Sequence, residues 1–272
     1  MSTDPTDRNP PTAREAGGRS FQALAVSDEI DARIHSATVR QRMGHVDLVL
    51  GCGDLPARYL EFLVDALNKP LYFVLGNHAE ELTRGGERGK RHRPLGGIDL
   101  GGRVVRDEGT GLILAGFPGS PRYGENEPAQ YDEWEVYWMM GRMAPRLLWN
   151  RLRHGRALDV LVTHSPPRDI NDRQDKAHRG FTALRSFLRW FRPAYHLHGH
   201  VHLYDRSQPF EARFAETQVV NVFPYRVVEL TVAERRAGPI AVPAPVPPHD
   251  RSAVAGSPQD WIPDSGAGRG SP

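Results

Sequence analysis

Short apolar runs alternate with helix-spaced ones through the middle of this chain. FQALAV (21–26), VDLVLG (46–51), LYFVLG (71–76), LDVLVT (158–163) and YHLHG (195–199) are rich in Val, Leu and aromatic residues and have the length of buried strands. Polar residues follow each run at once. After the second run, Pro56 suits the first turn of a helix, and Tyr59, Leu60, Leu63, Val64 and Leu67 recur at helical spacing. The pattern predicts a long helix or two over 131–153, broken or restarted at Pro145, and another over 181–191. Strands joined by helices imply a layered α/β sheet, whose ligand sites lie beyond the carboxyl ends of the strands.

Composition bounds what surrounds these elements. With 272 residues, 39% apolar and 25% charged, the chain can bury one good core or at most two small ones. A formal charge of +2 gives no strong sign of nucleic-acid binding, and no run of about 18 apolar residues predicts a membrane partner. MSTDPTDRNPPTAREAGGRS at the start lacks the apolar segment of a secretory signal. One cysteine, Cys52, forms no internal disulfide and is compatible with a reducing cytosol, so a cytoplasmic location is expected. Residues 1–19 and 234–272 are rich in Pro, Gly, Ser and charge, and predict disordered tails around one domain at 20–233. Trp261 and Ile262 in the second tail are candidates to dock on a partner. No repeat is visible, and nothing in the pattern selects an oligomeric state.

Chemistry gathers at the strand ends. His196, His198, His200 and His202 occupy every second position of YHLHGHVHLYD (195–205), in a chain with 12 histidines. His196 and His198 lie inside the predicted strand, where neutral histidines pair with backbone groups. The five strands end in SDEID, GCGD, GNH, THSPP and GHVH, so Asp28, Asp54, Asn77, His78, His164, His200 and His202 converge on one rim. Singly, Asp54 could cap a helix, Asn77 could occupy a left-handed turn, and His164 could bond to backbone at a loop entry. Together they are carboxylate, amide and imidazole groups, the ligand types that suit Mn, Fe, Co, Ni and Zn, and they outnumber what one ion needs.

The ordered set of D-x-H, GD, GNH, a strand ending in His, and GHxH resembles the calcineurin-like metallophosphoesterases over roughly residues 20 to 232. The resemblance implies an α/β fold, the four-layer α/β/β/α metallophosphoesterase sandwich. It also implies a metal-dependent phosphohydrolase of a phosphorylated small molecule, phosphodiester ahead of phosphomonoester, with a hydroxide bridging two divalent transition-metal ions as nucleophile. Asp54 would be the bridging carboxylate. Asn77, His164 and His200 would complete one metal site, and Asp28 and His202 would serve the other. His78 would face the phosphoryl group, stabilising charge or protonating the leaving oxygen.

The first motif departs from the pattern. Ile30 stands where the family carries a metal-binding histidine, and strand alternation would place residues 28 and 30 on one side, so the first site is expected to be one ligand short. Asp31, Glu29 or, more distantly, His35 is a candidate to fill the gap. The alternative is a non-catalytic or weakly active module that binds a phosphorylated ligand or a protein. For substrate binding, Arg122 and Tyr123 of GFPGSPRYG (116–124) are candidates to hold a phosphate and stack on a base, as are His178 and Arg179 of HRGF. TRGGERGKRHR (83–93) could attract an anion or simply be a solvated loop.

Overall fold

Each of the five apolar runs becomes a parallel strand, and the strands divide between two sheets. The computed structural model describes residues 18–78, 93–124, 129–205 and 207–232. The first sheet holds β1 (Arg19–Val26), β2 (Leu48–Gly51), β3 (Leu71–Phe73), β4 (Gly97–Asp99) and β13 (Tyr225–Val232), in the order β13-β1-β2-β3-β4. Only β13 is antiparallel to its neighbour there. The second sheet holds β5 (Arg103–Arg106), β6 (Ile113–Phe117), β9 (Val160–Thr163), β10 (Tyr195–His198), β11 (Glu211–Phe214) and β12 (Thr217–Asn221), in the order β11-β12-β10-β9-β6-β5. β7 (Ser120–Pro121) pairs with β8 (Gln130–Tyr131) apart from both.

Burial on both faces explains why the central strands read as unbroken apolar runs rather than alternating ones. In β1, Ala23 and Ala25 join Leu50, Leu114, Val162, Leu197 and Val220 in a core between the sheets. Leu24 and Val26 face the other way, toward α2 (Ala57–Leu67), where Leu60, Leu63 and Leu67 meet Val49 and Phe73. On the far side, Ile113, Phe117, Leu161 and Val219 meet α3 (Glu133–His154) and α4 (Thr182–Phe191) through Met140, Met143, Leu147, Leu184 and Phe187. Layers therefore run helix, sheet, sheet, helix, the expected four-layer sandwich. Each fully buried Leu or Phe contributes about 1.5 to 3 kcal/mol of transfer free energy.

Several boundaries differ from expectation. β3 ends at Phe73, three residues early, because the chain turns out to build the rim. Pro56 is the cap before α2 rather than part of its first turn. Pro145 lies inside one continuous helix, α3, which neither breaks nor restarts. Arg19 and Ser20 pair with Val232 and Thr231, so the strand takes in residue 19 of the expected tail. The rest of that tail (1–17), the second tail (from 233, with Trp261 and Ile262) and residues 83–92 of the basic segment lie outside the described residues. β4, β5, β11 and β13 carry few consecutive buried residues, which is why run length did not reveal them.

Candidate metal centre

β1, β2 and β3 run parallel, as do β9 and β10, so each sheet delivers its strand ends to one edge. The chain turns sharply where it leaves them. Asp28 (φ 64°), Asp54 (φ 56°) and His200 (φ 68°) all adopt the left-handed conformation, which costs about 1 to 3 kcal/mol at a non-glycine residue unless its surroundings hold it. Glycines make the room. Gly53 has φ 98°, and a Cβ there would stand 2.4 Å from His164 Nδ1. A Cβ on Gly199 would stand 1.7 Å from Ser27 Oγ and 2.5 Å from Asp28 Oδ2.

Backbone carbonyls fix the imidazole tautomers at the centre. His164 Nδ1 donates to the Cys52 carbonyl at 2.9 Å, and His200 Nε2 donates to the Ala177 carbonyl at 2.7 Å. A carbonyl only accepts, so in the neutral rings His164 Nε2 and His200 Nδ1 present bare lone pairs. Those two nitrogens are 3.1 Å apart. Asn77 Oδ1 is 3.0 Å and Asp54 Oδ2 3.1 Å from His164 Nε2. Asp54 Oδ2, Asn77 Oδ1 and His200 Nδ1 thus gather about His164 Nε2, and loss of the His164 Nε2 proton leaves four lone pairs there. Ligands at about 2.1 Å from one ion stand about 3.0 to 3.4 Å apart, and the three spacings from His164 Nε2 fall in that range.

The other donors surround Asp28. Both its oxygens accept from the His200 backbone N–H, at 3.2 and 3.0 Å, and Oδ1 is 3.4 Å from His202 Nε2. Asp28, Asp54 and His164 offer ligand atoms that all lie within 4.8 Å of one another. His202 stacks on Phe223 with ring centroids 4.5 Å apart. Its Nδ1 lies 3.1 Å from the Tyr204 hydroxyl, which donates to Glu29 at 2.6 Å. That relay orients the second nitrogen of His202 toward Asp28.

The electrostatics answer to the same demand for positive charge. Burial opposes charging His164, but Asp54 beside it and Asp28 nearby lift its imidazole to about 9. Burial also disfavours the Asp54 carboxylate, yet His164 and the His78 N–H hold it at about 2. Asp28 is lowered in spite of its burial, chiefly by His202. His200 is pushed down to about 3 by burial and by His164.

The remaining expected residues divide. His78 is exposed at the rim, and its backbone N–H donates to Asp54 Oδ1 at 2.8 Å. Tyr123 belongs to the centre, since Asn77 Nδ2 donates to its hydroxyl at 2.9 Å. Arg122 turns away, pairing with Asp132 at 3.2 Å and Glu135 at 3.1 Å at the start of α3, because two carboxylates hold it there. His178 pairs with Asp175, with its ring centroid 5.3 Å from that of His200. The Arg179 guanidinium donates to the Gln174 carbonyl.

Strand alternation does not act at Ile30, because β1 has already ended at Val26 and the chain reverses at Asp28. Ile30 is 44% exposed. Asp31 is clamped by Arg33 at 2.6 Å, His35 packs edge-on against Tyr59 and Phe62, and Glu29 holds Tyr204. His35 also precedes α1 (Val39–Met43) rather than lying in it. The Glu29–Tyr204 relay and the two carbonyl locks escaped the sequence reading, having no motif of their own. Beside the relay lies a cavity of about 810 Å³, lined in part by Glu29, Arg33, Tyr204, Phe210, Phe223 and Tyr225.

Comparison with known proteins gives one family. The model of the calcineurin-like phosphoesterase family matches residues 25–204. No curated protein gives a significant match. Among solved structures, the protein TT1561 of Thermus thermophilus aligns with a TM-score of 0.52 at 15% identity, covering 80% of this chain and 100% of that one. A second crystal structure aligns with a TM-score of 0.54, also at 15% identity and with the same coverage. These likenesses concern the fold. Among the described residues no helix is long and apolar enough to cross a membrane.

Proposed function

Because the chain belongs to the calcineurin-like phosphoesterase family, we propose that it is a metal-dependent phosphohydrolase acting on a phosphorylated small molecule, with phosphodiesters ahead of phosphomonoesters. The observation that carries this reading is the gathering of Asp54 Oδ2, Asn77 Oδ1 and His200 Nδ1 within 3.0 to 3.1 Å of His164 Nε2. Mixed oxygen and imidazole donors suit Mn, Fe, Co, Ni or Zn. In this reading those four residues hold one ion. Asp28 and His202 hold a second, sharing Asp54 and having one donor fewer than the first-motif histidine would give. Divalent ions held there would supply an activated water and neutralise the phosphoryl oxygens.

The chain's own groups do the rest. His78, exposed at the rim, donates a proton to the leaving oxygen, while its backbone N–H keeps Asp54 oriented. Tyr123 reaches the phosphoryl group from the Asn77 side. A cytoplasmic location belongs to the same proposal.

Ile30 favours a second reading, a weakly active module that binds a phosphorylated ligand, since Asp31, His35 and Glu29 are each engaged by another side chain. Metal analysis of the purified protein, with hydrolysis of an aryl phosphodiester and an aryl phosphomonoester with and without added Mn, separates the two. The phosphohydrolase reading expects bound metal, diester turnover that rises with Mn, and loss of both metal and turnover in Asp54→Asn. Bound metal with no hydrolysis of either ester would favour the module.

A further inference from the structure

Helix α3 is apolar on two opposite faces, and the core covers only one of them. Val136, Met140, Met143 and Leu147 are buried. Half a turn away, Trp134, Trp138, Leu148, Trp149 and Leu152 are 54% to 66% exposed. At about 100° per residue these five share a stripe with Gly141 and Pro145. Trp190 of α4 extends the stripe beside Tyr137, with ring centroids 6.3 Å apart. Four tryptophans this exposed leave on the order of 600 Å² of aromatic surface in water, at the upper limit of the patches that monomers tolerate.

We propose that a second copy of this chain covers the stripe, the two α3 helices packing antiparallel about a two-fold axis near Gly141 and Pro145. Area, charge and backbone shape select this occupant. With the two leucines, the exposed apolar area approaches the roughly 800 Å² per partner of a stable interface. The start of α3 carries Asp132, Glu133 and Glu135 against the single guanidinium of Arg122, whereas its last turn carries Arg151, Arg153 and His154. Antiparallel pairing sets the acidic end of one helix beside the basic end of the other, while parallel pairing would oppose like ends. Gly141 lies near the middle of the stripe, and a Cβ there would meet nothing within 4 Å. Bare backbone at the crossing point lets two helix axes approach closely.

Sedimentation velocity on the full chain at micromolar concentration should give a dimer of twice 30.4 kDa. Trp138→Glu combined with Trp149→Glu should sediment as a monomer with an unchanged circular dichroism spectrum, since both side chains project from the exposed stripe. Arg151→Glu with Arg153→Glu should raise the dimer Kd by about tenfold or more. An unchanged Kd in that variant would mean parallel helices, in which like ends face each other before and after the change, and would overturn the proposal. A monomeric wild type, or a dimer indifferent to the tryptophan changes, would overturn the proposal. A monomer that floats with phosphatidylserine-containing vesicles, and fails to do so as Trp138→Glu, would assign the stripe to a membrane surface instead.

Discussion

His78 and Asp54 share one geometry but carry separable roles. The His78 backbone N–H, not its ring, touches Asp54 Oδ1, so removing the ring leaves the carboxylate in place. His78→Ala should therefore keep its metal content and lose about 10² to 10⁴-fold in turnover, the range of a positioned general acid. Loss of metal from that variant would make the imidazole a ligand and reverse the assignment. Tyr204 acts at one remove, through His202 Nδ1 and Glu29. Tyr204→Phe should weaken the ion on the Asp28 side by about tenfold, as loss of an orienting partner does. Calorimetric titration of chelator-stripped protein reads this without any turnover, and two unchanged affinities would show that Tyr204 is bystander surface.

At the scale of elements, α3 and α4 are joined by a cap as well as by packing. α4 begins after Phe181, whose side chain cannot accept the first-turn N–H groups. Glu133, from the first turn of α3, accepts from the Thr182 and Ala183 N–H groups at 2.7 and 2.8 Å instead. A carboxylate at a helix N-terminus also meets the positive end of the helix dipole. Glu133→Ala should cost about 1 to 2 kcal/mol, visible as a lower denaturant midpoint at an unchanged slope, with metal binding retained. An unshifted midpoint would mean that water serves α4 equally well. The strand ends behave differently, since β1, β2 and β10 each stop before a left-handed residue, Asp28, Asp54 and His200, so the rim is built from turns that the sheets hold in place.

The whole molecule carries an acid sensitivity away from its rim. His196 and His198 are fully buried. The Thr163 hydroxyl donates to the Ser165 carbonyl and so accepts from His196 Nε2. Burial pushes His196 well down, and it pushes His198 down to about 4 from the ordinary 6.5. A folded-state value below the unfolded one means the unfolded chain binds more protons between pH 6.5 and 4, so stability is full above 6.5 and falls as pH drops through that window. From His198 alone the loss between pH 7 and pH 5 is about 2 kcal/mol. Urea unfolding at the two pH values checks it, and His198→Asn should reduce the difference while the share of His196 remains. An equal pH dependence in that variant would place the sensitivity elsewhere.

That Asp54, Asn77, His164, His200 and His202 gather at one rim was legible in the chain because strand ends in a parallel sheet share one edge. The paired layers followed from apolar runs buried on both faces. Arg122 shows where such reading stops: its local segment suggested a phosphate ligand, and only the placement of α3 turned it toward Asp132 and Glu135. The His164–Cys52 and Tyr204–Glu29 bonds likewise join residues 112 and 175 positions apart, and the cap on α4 comes from another helix. Periodicity and motif express a residue's dealings with its own strand or helix. Which distant carbonyl, hydroxyl or carboxylate arrives beside it is decided when the sheets and helices pack, and that packing set the tautomers, the relay and the fate of Arg122.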